Sequence, residues 1–197
     1  MKTDTTWRGY TLRRARPEEL ARLPELEHLA AQQFLQSAHP FIAQAGAQTL
    51  EQLREYQRQG GAWVAVAADG EVAAFALSKE VDGTAYIAEI DVHPAHARQG
   101  LGRALFEVVR QWAREQGYRT VLLTTFRDVP WNAPLYERWG FRVMRDEEVG
   151  PGLRAIRENE TRMGLPAASR VCMELALDSP PRAHSQEMSK SQSSGPV

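Results

Sequence analysis

Residues 84–126 read TAYIAEIDVHPAHARQGLGRALFEVVRQWAREQGYRTVLLTTF, and this stretch decides the fold. It opens with an apolar run, Thr84 to Val92, that stops at His93-Pro94, where proline removes a backbone donor. In the next segment Leu101, Leu105, Val108, Val109, Trp112 and Ala113 recur at helical spacing and form one apolar face. Gly100 and Gly102 stand at its mouth, and Gly117 ends it. TVLLTTF (120–126) is then almost continuously apolar, as expected of a strand covered on both faces beside a crossover helix. Strand, glycine loop, helix and buried strand make one βαβ unit.

Upstream, AWVAVAA (62–68) and VAAFALS (72–78) flank Asp69-Gly70, which predicts a β-hairpin and an antiparallel sheet running into the decisive segment. Tyr10 to Ala15 alternates weakly, like an edge strand. Leu20, Leu23, Leu26, Leu29 and Ala30 have helical spacing that Pro24 kinks or splits, and a second amphipathic stretch runs from about Ala45 to Arg58 before Gly60-Gly61. Downstream, NAPLYERWGF predicts a short helix broken by Gly140, with strands at Phe141–Met144 and Arg170–Leu177. The segment between those strands is long for a loop, so it is expected to contain a helical turn or to line a site.

The chain of 197 residues, 43% of them hydrophobic and 25% charged, suffices for one domain with a real core. We place it at residues 9–177, as an α/β domain with a mixed sheet flanked by helices. Residues 178–197 carry six Ser, three Pro and one Gly, a composition that cannot repay its ordering entropy. The 24 Lys plus Arg against 25 Asp plus Glu give a charge of -1, so no bulk field draws the chain to nucleic acid or an anionic bilayer. The N-terminus lacks a signal-like apolar stretch, and no apolar run approaches the roughly 20 residues that cross a membrane. With Cys172 alone no internal disulfide forms, which fits a reducing compartment, and the expected location is cytoplasmic. Cys172 has no histidine partner nearby in sequence and reads as a buried strand side chain. His93 and His96 flank Pro94 without a third ligand nearby, so no metal site is expected.

The glycine loop fits neither nucleotide fingerprint. Leu105 stands where a dinucleotide motif wants its third glycine, and no Gly-Lys-Ser/Thr follows. Two readings remain: a tight strand-to-helix turn, or a loop whose backbone amides and helix dipole receive an anion such as a pyrophosphate.

Residues 84–144, from TAYIAEIDVHP through ARQGLGRALFEVVRQWA to VPWNAPLYERWGFRVM, resemble the core of the GCN5-related N-acetyltransferase superfamily, with a looser likeness over Tyr10 to Leu177. The resemblance implies the acyl-CoA N-acyltransferase fold, with a centrally splayed sheet, and acetyl-CoA as co-substrate. Its pyrophosphate would lie on Arg98, Gln99, Gly100, Leu101, Gly102 and Arg103. The basic or glutamine residue usual three positions before the first glycine is Ala97 here, which leaves side-chain affinity for phosphate less secure than backbone affinity. The strand around Ile90, Asp91 and Val92 would pair with the pantetheine arm, and Asn132 would help hold it.

The same likeness implies Tyr136 as general acid toward the departing thiolate; the alternative for the residue is a packing aromatic beside Trp139 and Phe141. An amine of pKa about 10.4 must lose a proton before it attacks, and related enzymes often place a glutamate where Glu89 stands. Asp91 shares its strand face and is the lesser candidate. The implied reaction is direct acetyl transfer in a ternary complex to a primary amine on a small molecule or peptide. Glu25, Glu27, His28, Glu147, Glu148, Arg154, Glu158 and Glu160 are candidates for the acceptor side. A homodimer is a further implication of the resemblance. The alternatives are a CoA-binding sensor without catalysis, a longer acyl donor, or a hydroxyl acceptor.

Overall fold

In a computed structural model, which describes residues 4–177, eight strands form one sheet in the order β1-β2-β3-β4-β5-β6-β8-β7. The strands are β1 (Thr5–Trp7), β2 (Tyr10–Arg14), β3 (Ala62–Val66), β4 (Val72–Val81), β5 (Thr84–Val92), β6 (Thr120–Phe126), β7 (Arg142–Val143) and β8 (Arg170–Ala176). All neighbours are antiparallel except β5 and β6, which the βαβ unit makes parallel. The helices are α1 (Leu23–Ala31), α2 (Leu50–Arg58), α3 (Leu101–Glu115), α4 (Ala133–Arg138) and α5 (Pro151–Arg162).

Helix α3 covers one face, where Leu101, Leu105, Phe106, Val109 and Ala113 pack with Ala85, Ile87, Val121, Leu123, Val171 and Met173. On the other face Leu20, Leu23, Leu26 and Leu53 meet Val64, Val66, Phe75 and Leu77, while Leu153 of α5 joins Tyr86, Leu122 and Cys172. Alternation along each strand thus sorts residues between an α3 face and an α1/α5 face. Phe106 is fully buried and stacks on Trp139 at 5.2 Å. Phe106→Ala should therefore cost about 3–5 kcal/mol of stability in denaturant unfolding, the range for emptying a buried aromatic site.

Three expectations change. Tyr10–Arg14 is not the edge strand, because Arg8 and Gly9 at positive φ (45° and 87°) fold β1 back onto it, so the sheet begins at Thr5, ahead of Gly9. The second amphipathic stretch becomes helical only at Leu50, where the Thr49 side chain accepts from the Gln52 amide. The segment expected to hold a helical turn contains the whole of α5, whose first amides, Gly152 N–H and Leu153 N–H, donate to the Asp82 carboxylate of the β4–β5 turn at 2.7 and 3.0 Å. Pro24 does split the N-terminal helical region, into a 3₁₀ turn (Pro17–Arg22) and α1. Residues 178–197 lie outside the described residues.

The sheet opens at its centre. β5 pairs with β6 only at Ala85↔Val121, Tyr86↔Leu122 and Ile87↔Leu123, whereas β6 stays paired with β8 to its end at Phe126. Among the described residues, one edge of β5 has no strand beside it beyond Ile87. The β4–β5 register also slips here, with Leu77 opposite Glu89 and Ser78 opposite Ile87, so Ala88 is an extra, bulged residue. The bulge resets the alternation: Ala85 and Ile87 face α3 before it, and Ile90 and Val92 do so after it. Glu89 and Asp91 consequently turn to the α1/α5 face, on the side of Tyr86.

Candidate active site

Three parts of the chain converge on the splay. The first is the glycine loop. Arg98 and Gly100 adopt positive φ (61° and 81°), and Gly100 is the residue before α3. No side chain caps that helix end, so its first amides keep their donors for an external acceptor. Trp7 and Tyr10 fix the loop from behind. The Trp7 indole N–H donates to the Gln99 carbonyl at 3.2 Å, and the Tyr10 hydroxyl donates to the Gln99 side-chain oxygen at 3.0 Å. A Cβ on Gly100 would lie 3.3 Å from the Trp7 ring, and its left-handed backbone separately favours glycine.

Among the residues expected at this loop, Leu101 is buried and offers only backbone. Gln99 turns its side chain inward to Tyr10 and away from the anion side of the loop. Arg98 is exposed and, among the described residues, unpaired. Arg103 pairs with Glu107 at 2.6 Å and leans over the Trp139 ring at 5.3 Å.

The second part is the open edge of β5 with α4. Ile90 and Val92 line up beside Gly102, whose absent Cβ would sit 3.8 and 3.7 Å from them. The edge of β5 beyond Ile87 is free to pair with an extended ligand, as an added strand would. Asn132 precedes α4, and its side chain makes no hydrogen bond among the described residues. Tyr136 lies edge-on to Trp139 at 5.3 Å and to Phe141 at 5.6 Å, and burial, then Glu89 and Asp91, push its hydroxyl pKa well up. It thus packs as an aromatic and also keeps its proton at neutral pH.

The third part is a group of carboxylates on the α1/α5 face. Burial, then Glu27, push the Glu89 carboxyl up to about 8, with Arg170 opposing. Asp91 is raised well above its ordinary range by burial and then by Glu89 and Glu27. Glu27 itself is raised by burial, while it accepts from the Gln48 amide at 2.9 Å. The Tyr56 hydroxyl is pushed up to about 12 by burial, with Glu89 and Glu27 adding to the shift. A carboxyl that titrates near 8 is matched to taking a proton near neutral pH.

Of the acceptor-side candidates, the fold brings Glu27 and Glu160 near this group and disperses the rest. Glu25, His28, Glu147, Arg154 and Glu158 are exposed, and Glu148 is held by Arg142 and Arg145 at the far end of the sheet. Sequence reasoning missed Arg170, Tyr56, Phe34 and Phe126; Phe34 joins Phe126 and Trp131 into an aromatic wall, with ring centroids 5.7 to 5.8 Å apart. It also missed buried His39, which stacks on Phe126 at 4.2 Å and bonds Asp128 at 2.9 Å. These contacts join segments far apart in sequence, and no local pattern signals them.

Cys172 is buried, and burial raises its thiol pKa, which does not suit a nucleophile. Two surface cavities, of about 490 and 840 Å³, lie outside the splay, the larger between the β1–β2 hairpin and α3. No described helix is long and apolar enough to cross a membrane.

A profile described as "Acetyltransferase (GNAT) family" matches residues 23–141. Among solved structures, the chain is similar to the ribosomal-protein-S18-alanine N-acetyltransferase of Escherichia coli, at 20% identity and TM-score 0.60 over 88% of this chain and 97% of that one. It is also similar to the PaiA N-acetyltransferase of Thermoplasma acidophilum in complex with coenzyme A, at 15% identity and TM-score 0.62 over 85% and 99% of the two chains. Rv2747 of Mycobacterium tuberculosis, solved with CoA, matches at 21% identity and TM-score 0.60 over 84% and 98%.

Proposed function

Because the chain belongs to the acetyltransferase (GNAT) family, we propose that it is an acetyl-CoA-dependent N-acetyltransferase that acts on a primary amine by direct transfer in a ternary complex. The observation that carries this reading is the opening of the sheet beyond Ile87. It leaves a free strand edge on β5 between an uncapped helix terminus and a carboxyl that titrates near 8. The residues present fit acetyl-CoA. Amides of Leu101, Gly102 and Arg103 would receive its diphosphate, β5 beyond Ile87 and the Asn132 amide would hold its arm, and relatives solved with coenzyme A support the assignment. When bound, acetyl-CoA supplies an acetyl group activated as a thioester.

The chain's own residues would manage the protons. An amine arrives as ammonium, and the Glu89 carboxylate, directly or through one water, takes the proton that frees its lone pair. The Tyr136 hydroxyl, kept protonated by burial, would donate to the sulfur as the thiolate leaves and regain a proton from the newly acylated nitrogen. A strand amide in the segment Ile90–Val92 would meet the charge that develops on the carbonyl oxygen. Ala97 and the inward turn of Gln99 are the observations that favour the second reading, a CoA-binding sensor. Release of the CoA thiol, followed with a thiol reagent, separates the two: transfer requires release that depends on added amine, and a sensor binds acetyl-CoA without it. For Tyr136→Phe we expect kcat to fall about 10-fold with KM for acetyl-CoA within a factor of about two, because a thiolate needs only modest assistance. An unchanged kcat assigns Tyr136 to packing alone.

A further inference from the structure

Arg170 opens β8 opposite Phe126, the last residue of β6. Alternation puts it on the same face as Cys172, Tyr86, Glu89 and Asp91, but across the splay from the two acids. Its side chain is only 10% exposed. Nε and Nη2 donate to Glu160 at 3.2 and 2.6 Å, Nη2 also reaches the Thr124 hydroxyl at 3.2 Å, and the guanidinium lies 4.6 Å over the Phe126 ring. Nη1 has no hydrogen-bond partner among the described residues. Glu160 is shared with Arg157 at 2.7 Å, so Arg157, Arg170 and Glu160 together keep one net positive charge. That charge reaches the site, since Arg170 opposes the upward shifts of both Glu89 and Tyr136.

The cleft therefore has carboxyl groups, Glu27, Glu89 and Asp91, on one wall and a buried guanidinium on the other. A diamine or polyamine would leave a cationic group facing Arg170, whereas an acceptor with both an amine and a carboxylate meets proton-accepting carboxyls on one wall and a cation on the other. Resting on the acetyltransferase reading above, we infer that the acceptor is an amino acid whose carboxylate is received by Arg170 Nη1 while its amine faces Glu89. The Phe126 face and the Glu160 and Thr124 contacts fix the guanidinium plane, which preorganises the remaining donor.

The test compares kcat/KM for α-amino acids, the corresponding α-amides and 1,4-diaminobutane, in the wild type, Arg170→Gln and Arg170→Lys. We expect the best acid to exceed its own amide and the diamine by roughly 10- to 100-fold, as a charge-assisted contact in a partly dry site allows. That ratio should collapse toward one in Arg170→Gln and survive in part in Arg170→Lys, whatever the absolute rates. If Arg170→Gln does not fold, inhibition of the wild type decides: the deaminated acid should compete with the amine, and its amide should not. Amides or the diamine matching the acids, a ratio that survives in Arg170→Gln, or equal inhibition by acid and amide would each overturn the inference and leave acetyl transfer intact. Acetyl-CoA binding with no amine acetylated would instead remove the acetyltransferase reading, and this inference with it.

Discussion

Glu89→Gln should lower kcat/KM for the amine by about 100-fold at neutral pH, the scale of losing a positioned general base. The wild-type profile should rise with pH through an apparent pKa near 8, the value at which the Glu89 carboxyl titrates. In the variant this limb should vanish, leaving a rise governed by the acceptor's own pKa, about 10.4 for a lysine-like amine. Stability should move the other way. The folded pKa lies above the unfolded value of about 4.3, so the stabilisation from the neutral carboxyl is complete below that value and is lost as pH rises through about 8. Between pH 5 and 8.5 the wild-type Tm should therefore fall more steeply than that of Glu89→Gln. Asp91 and Glu27, also raised, keep part of the slope in the variant. Superimposable pH profiles for rate and Tm would remove Glu89 from the proton path.

Gly102→Asp should raise the Kd for CoA by about 100-fold without loss of Tm. Gly102 is the second residue of α3, where a carboxylate favours the helix dipole and where replacing glycine improves helix propensity. Its new Cβ would meet Val92, Ile90 and Trp139 at 3.7, 3.8 and 4.0 Å, which is ordinary van der Waals contact. The backbone and the new Cβ are thus accommodated. A diphosphate at the same amides is not, because it would face a fixed negative charge within a few ångströms where screening is weak. Calorimetric titration with CoA, paired with a melting curve, reads both signs, and an affinity within twofold of wild type would place the diphosphate elsewhere.

The βαβ unit was legible because its signals are local and strong: a run stopped by His93-Pro94, an α3 face of seven buried residues, and glycines at both ends. The glycine loop was legible for the same reason, lying inside that unit, whereas Glu89 was singled out by the family resemblance. β1 left no signal, since Thr5–Trp7 is too short for a period and its return depends on two successive positive φ angles. α5 buries only Leu153, and its start is capped by Asp82 from a distant turn, so its apolar periodicity is faint. The bulge at Ala88 is invisible in TAYIAEIDV, yet it decides which face Glu89 and Asp91 occupy. Arg170 joins them only through the β6–β8 register, and the inward turn of Gln99 depends on Tyr10, far away in the chain. What sequence pattern missed are contacts made by strand pairing rather than by periodicity.

The central claim is that the edge of β5 beyond Ile87 and the amides that open α3 hold the acetyl donor. Hydrogen–deuterium exchange with and without CoA tests it at those atoms. The account predicts slowed exchange at residues 88–92 and 98–104 when CoA is added, with little change in the larger cavity between the β1–β2 hairpin and α3, the groove lined by Trp7, Trp63 and Trp112. Unchanged exchange at both segments under saturating CoA, or protection confined to that groove, would contradict it.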